Sequence, residues 1–307
     1  MNWVLVFIIV DYLLRFVVLG LPKINDTLDS CEGKYGLYIF PGVLGESFNQ
    51  IGPIRDVFSQ YGRLFYGKIG RVIYSPTLVK RRFARQIELA EKTHGYDKGV
   101  LVGISLGACI ALDVNDQRFE NNPNAEKYGL IVFDGVAGSK NLLSGGNIFA
   151  PIFRVLRWMI PIGLISGLII GMLIMIPQGL WINQGPKDEE IEDGLDKEQV
   201  KKKAKRDMFG YLPGVFARQL VHIAASEVNA ERLSRFAWIQ YYQYDWKNVT
   251  VNQPGERLKW QEIAREAEVP FDYRVIDAPH VAFAQMPTVS RKALSQGLPR
   301  FLEQQDK

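Results

Sequence analysis

Short apolar runs alternate with helical periodicities along most of the chain. Residues 35–40 (YGLYIF) are apolar without a break and are closed by Pro41 and Gly42, which predicts a buried strand ending in a turn. Val72–Tyr74 predicts a shorter strand. Over 77–93, Leu78, Phe83, Ile87 and Leu89 give an amphipathic helix with these residues towards the core. Strands are expected at Val100–Gly103 and Leu130–Phe133, with a helix from about Leu106 between them. After a long interruption the rhythm returns: Phe236–Tyr242 is strand-like, 255–268 helical, Tyr273–Ile276 strand-like and 289–305 helical. Strands alternating with helices predict an α/β fold whose mostly parallel central sheet carries helices on both faces.

Two apolar stretches stand outside that rhythm. The first, Trp3–Leu21, is interrupted by Asp11 and Arg15, which lie four apart and can pair on a helix. No Lys or Arg precedes it and no small-residue cleavage pattern follows, so residues 1–22 read as an uncleaved N-terminal anchor rather than a signal peptide. An interfacial helix is the alternative, because the Asp11–Arg15 pair is costly at mid-bilayer. The second, Trp158–Pro177, runs for 20 residues without a charge, the length of a membrane span. It sits in an insertion, 148–231, that divides the predicted core into 35–147 and 232–307. A single crossing there would put strands of one sheet on opposite sides of a bilayer, so the segment must enter and return or stay in a cap. Pro161, Gly163, Gly167, Gly171 and Pro177 permit a bent form. An acidic run over 188–198 and then Lys201, Lys202, Lys203, Lys205 and Arg206 follow, read as a solvated helix or as a patch for anionic head groups.

Composition narrows the function classes. In 307 residues, 47% are apolar and 23% charged, which excludes disorder over most of the chain. Lys and Arg number 37 against 33 acids, a balance too even for nucleic-acid binding. Cys31 and Cys109 are the only cysteines, so no cysteine zinc site or disulfide framework can form. No metal or cofactor is implied. Any histidine base must be His94, His222 or His280.

The chemistry concentrates in VLVGISLGAC, residues 100–109. Gly103-Ile104-Ser105-Leu106-Gly107 is a GxSxG pentapeptide between an apolar strand and a small-residue helix start. A serine on such a tight turn is pushed out above the sheet, and the flanking glycines let helix and strand pass closely. The bland reading, a Gly-rich phosphate-binding turn, lacks the lysine or Gly-x-Gly-x-x-Gly run it would need.

With these residues the chain resembles the α/β-hydrolase superfamily over about 35–147 and 232–305. YIFPGVLGES (38–47) looks like the family's oxyanion loop, with Pro41-Gly42 where many members carry His-Gly. The resemblance implies Val43 and Leu106 as backbone oxyanion donors. It also implies His280, in DAPH after the last predicted strand, as the general base. His94, beside Gly95, fits a helix end, and His222 fits surface or cap packing. The acid should follow the strand at 236–242; Asp245 is the choice, and Asp134, after the preceding strand, is the alternative. The family's usual register would land on Asn248 instead. Asp277 is read as bracing the histidine loop, and Cys109 as a small buried hydrophobe.

The expectation is therefore a membrane-associated serine hydrolase of esterase or lipase type. It would cleave a hydrophobic acyl ester through an acyl-enzyme on Ser105, under an apolar cap. Its partners would be that substrate and membrane lipid. Acyltransfer, thioester and amide chemistry use the same machinery, and a non-catalytic membrane scaffold on this fold is the alternative of a different class. Neither the oligomeric state nor the side of the membrane is set by the pattern.

Overall fold

The computed structural model describes Val6 and residues 21–26, 34–43, 50–70, 74–96, 98–135, 187–209, 213–245, 253–279 and 283–302. Of the helix expected over 1–22 only Val6, Leu21 and Pro22 are described, and the apolar segment 158–177, residues 44–47 of the oxyanion loop, Cys31, Asn248 and His280 lie outside the described residues. Among the described residues, no helix is long and apolar enough to cross a membrane.

The chain opens with β1 (Lys23–Asp26) and β2 (Tyr35–Phe40), then a 3-10 turn at Gly52–Ile54 leading into the short α1 (Arg55–Ser59). β3 (Gly62–Lys68), α2 (Pro76–His94), β4 (Lys98–Ile104), α3 (Leu106–Asn121) and β5 (Tyr128–Phe133) follow. The described part of the insertion holds α4 (Lys197–Phe209) and α5 (Pro213–Ala225). The chain then passes through α6 (Ala230–Leu233), β6 (Phe236–Tyr244), α7 (Gln253–Glu266), β7 (Phe271–Ile276) and α8 (Pro287–Leu302).

The seven strands form one sheet in the order β1-β3-β2-β4-β5-β6-β7, parallel throughout except for β1, which runs antiparallel to β3. Helices cover both faces, so every residue of β2 and β5 is buried, which is why these strands read as unbroken apolar runs. One face packs Tyr38, Phe40, Leu101, Leu130 and Tyr241 under α2, α3 and α7; the other packs Ile39, Val102, Ile131 and Tyr242 under α1 and α8. Helix α2 has local start and stop signals. The Ser75 Oγ accepts from the Leu78 N–H, Pro76 opens the first turn, and Gly95 closes the helix at φ 65°.

Of the strand expected at Val72–Tyr74, Val72 and Ile73 lie outside the described residues. The strand of this stretch is β3, upstream, and Tyr74 is irregular chain ahead of Ser75. Gly62, Arg63 and Gly67 break the apolar run of β3, and its register with β2 and β1 supplies what the sequence signal lacks. β1 (KIND) has no apolar alternation; pairing with β3 and the Arg63–Asp26 ion pair at 2.7 Å hold it.

Candidate active site

Ser105 follows β4 and caps the N-terminus of α3 with φ 51° and ψ −111°, a conformation that an L residue rarely takes. Its own N–H is committed to the Phe133 carbonyl at the end of β5, 2.8 Å away. The glycines of the pentapeptide leave the room this turn needs. A Cβ on Gly107 would lie 2.2 Å from the Phe40 carbonyl oxygen, and one on Gly103 would lie 2.5 Å from the Ala108 Cα. No side chain caps α3, so Leu106, its first residue, stands at a helix end whose free N–H groups and dipole favour negative charge.

The loop after β2 lies against the serine. A Cβ built on Gly42 would come within 3.6 Å of the Ser105 Cβ and 3.3 Å of the Ile104 carbonyl oxygen. The Gly42 N–H donates to the Gln50 Oε1 at 2.9 Å, so Gln50 fixes this loop, a role the sequence did not signal. Val43, the next residue, is half-buried and packs on the core.

Although His280 itself is not among the described residues, both its flanks are. Ala278 is fully buried with its N–H on the Ile276 carbonyl, and Phe283 is buried with its ring 4.9 Å from Phe133 and 5.8 Å from Tyr244. Phe283, on one flank, is thus fastened at the C-terminal ends of β5 and β6, and Ala278, on the other, at the end of β7. Asp277 is exposed.

The two candidate acids differ in their surroundings. Asp245 directly follows β6; its N–H donates to Ile276 at 2.9 Å, and its exposed carboxylate accepts from the Gln243 Nε2 at 3.1 Å. Asp134 directly follows β5, is fully buried and has φ 46°. Its N–H donates to the Tyr242 carbonyl, and its Oδ1 accepts the Tyr244 N–H at 2.8 Å. One of its oxygens therefore stitches β5 to β6.

The other histidines have partners of their own. His94 stands in the last turn of α2, its ring against Phe65 and Tyr96 and its Nε2 3.6 Å from Asp26. His222 is buried on α5, between the Tyr74 hydroxyl at Nδ1 and Asp113 at Nε2, 2.8 Å away. The ring thus bridges the Tyr74 hydroxyl and the Asp113 carboxylate, with Nε2–H donating to Asp113. Arg232 holds the other Asp113 oxygen at 2.6 Å, and Arg218 donates to the Tyr74 carbonyl. Burial alone would raise the Asp113 carboxyl, but the His222 hydrogen bond and charge and the Arg232 guanidinium bring it below the usual range. These residues line a cavity of about 920 Å³. Asp113 lies eight residues past Ser105, roughly 12 Å along α3, so this network is separate from the elbow. Cys109, between them, is buried, and burial pushes its thiol up to about 12.

No family model and no curated protein matches the chain. Solved structures do match it. A thermophilic esterase from Thermogutta terrifontis is 15% identical with TM-score 0.57, over 92% of this chain and 93% of that one. MenH from S. aureus is 14% identical with TM-score 0.57, over 93% and 99%. A lipase-esterase related protein from Clostridium acetobutylicum is 13% identical with TM-score 0.55, over 92% and 100%. At such identities the likeness is one of architecture, and with the sheet order and the strand–serine–helix turn it establishes that the chain has the α/β-hydrolase fold.

Proposed function

We propose that the protein is a membrane-associated serine hydrolase that cleaves a hydrophobic carboxylic ester through an acyl-enzyme on Ser105. The observation that carries this reading is the positive-φ serine at an uncapped helix N-terminus, with the Gly42 loop packed against it. Solved structures named as esterases share the fold, which supports ester chemistry over the scaffold alternative.

In the proposed reaction the Ser105 Oγ attacks the ester carbonyl while His280 takes its proton, and Asp245 orients and stabilises the imidazolium. The N–H groups of Val43 and Leu106 receive the oxyanion; each such donor is worth roughly 10²–10³ in turnover. Collapse breaks the ester C–O bond, and the alcohol leaves with the proton from His280. Water, deprotonated by the same histidine, then attacks the acyl-enzyme and releases acid and free Ser105. The insertion 148–231 would form the cap. Its apolar segment 158–177 would supply the acyl pocket and, with residues 1–22, contact with the bilayer.

A fluorophosphonate probe tests the chemistry, because only an activated serine reacts with it. Labelling should map to Ser105, disappear in Ser105→Ala, and fall together with ester hydrolysis in His280→Ala. Equal labelling of wild type and Ser105→Ala would remove the proposal. Chromogenic esters of increasing chain length read the pocket, and the expected kcat/KM rises from acetate to longer acyl chains.

A further inference from the structure

β7 is the last strand of the described sheet, and among the described residues no strand pairs with its outer edge. Tyr273 and Val275 on it are 38% and 50% exposed, and Leu258 on α7 is 55% exposed. We propose that this edge is a dimerisation surface, occupied by the β7 strand of a second copy of the same chain, running antiparallel about a two-fold axis at Tyr273.

The hydrogen-bond directions single out which residues face outward. Ile239 donates to the Pro270 carbonyl and Asp245 to that of Ile276, with Tyr241 in register with Tyr273. In a parallel ladder this turns the main-chain groups of the even-numbered residues towards β6. Phe271, Tyr273 and Val275 therefore point N–H and C=O outward, the template on which another strand adds. A second β7 centred on Tyr273 satisfies all of them: Tyr273 pairs with Tyr273 of the other copy, and Phe271 with Val275 in both directions.

Charge selects this register. Under the same two-fold axis Asp272 falls opposite Arg274 of the other copy, and Arg274 opposite its Asp272. Both are non-hydrogen-bonded pairs, in which side chains come closest. Shifting the axis to residue 272 would oppose two aspartates, and shifting it to 274 would oppose two arginines. Within one chain the Arg274 Nη2 lies 3.9 Å from an Asp272 carboxylate oxygen, and the Arg274 side chain is 39% exposed. On the opposite face of the strand, the Arg257 guanidinium lies 4.2 Å over the Tyr273 ring, which holds α7 beside the edge. A groove lined by Leu258, Val269 and Phe271 runs there, so joining the sheets sets two partly apolar α7 faces next to each other.

The test uses the full chain in mild detergent, with mass read by sedimentation velocity. Wild type should dimerise reversibly. Asp272→Arg and Arg274→Asp should each weaken the dimer on the order of tenfold or more, since each opposes like charges at two symmetric sites. An equimolar mixture of the two variants should regain wild-type mass as a heterodimer, because each then meets its complement; a mixture that stays monomeric overturns the proposal. Folding defects are separated by circular dichroism of each variant alone. Independently, Tyr273→Cys places two sulfurs on the axis at about the 5.5 Å Cα separation that a disulfide accepts. Mild oxidation should then give a covalent dimer that wild type does not form. Wild type that is monomeric at every concentration reached, or Tyr273→Cys that stays uncrosslinked, also overturns it. Fluorophosphonate labelling of Ser105 in the monomeric variants reads the catalytic proposal separately.

Discussion

Replacing Ser105 by glycine and by alanine removes the same hydroxyl but should give two proteins of different stability. At φ 51° and ψ −111°, a residue bearing a Cβ is strained by ~1–3 kcal/mol. Glycine releases that strain, and both variants keep the N–H bond to Phe133. Against this, glycine has more freedom to lose on folding, about 0.5–1 kcal/mol relative to alanine. Taking the middle of the strain range leaves Ser105→Gly more stable than Ser105→Ala by about 1 kcal/mol. In a helix or strand interior the order is the opposite. For a chain of this length the difference corresponds to roughly 2 °C in Tm. Paired thermal and urea unfolding of both purified variants, with fluorophosphonate labelling to confirm that neither reacts, measures it. An alanine variant equal to or more stable than the glycine variant would refute the view that the elbow stores backbone strain.

The acid assignment is comparative: Asp245→Asn should lower kcat strongly with the fold intact, while Asp134→Asn, which keeps an Oδ1 for the Tyr244 N–H, should do less, and steady-state assays of folded variants decide the order. Cys109 should resist alkylation at pH 8 in the native protein and react on unfolding, because its thiol is buried and pushed up to about 12; rapid native labelling measured by mass spectrometry would contradict this. Asp113 titrates below its usual range in the fold, so its stabilisation is complete above the unfolded-state value and is lost as pH falls through the folded one. Urea midpoints across the acid range should therefore fall less steeply in Asp113→Asn than in wild type, and identical slopes would rule the linkage out.

What could be read from sequence follows the range of the interaction. The elbow is local: Gly103, Ser105 and Gly107 sit between two elements whose patterns are strong, and the structure has the strand, turn and helix there. β2, β4 and β5 were legible because burial on both faces makes them continuously apolar. β3 was passed over because Arg63 and two glycines interrupt its run, and β1 because a polar edge strand is defined by its partner. The His222 network was illegible for the same reason in stronger form. Its contacts to Asp113 and Tyr74 span 109 and 148 residues, and no spacing rule joins positions so far apart. Gln50 closes on Gly42 over only eight residues, but a lone glutamine after a loop carries no distinctive pattern.

Phe133 takes on a wider meaning from its position. Its carbonyl fixes the amide of Ser105, and its ring seats Phe283, three residues past His280 in the chain. Two parts of the chain more than 170 residues apart are thus gauged from one shared reference point at the tip of β5. Misalignment accumulates over the number of contacts between two parts, as it does in any jointed assembly, and here the chain of contacts is short. A displacement of β5 carries the serine turn and Phe283 together, so the spacing between those two anchors is insulated from breathing of the sheet, whereas a change at Phe133 itself loosens both at once.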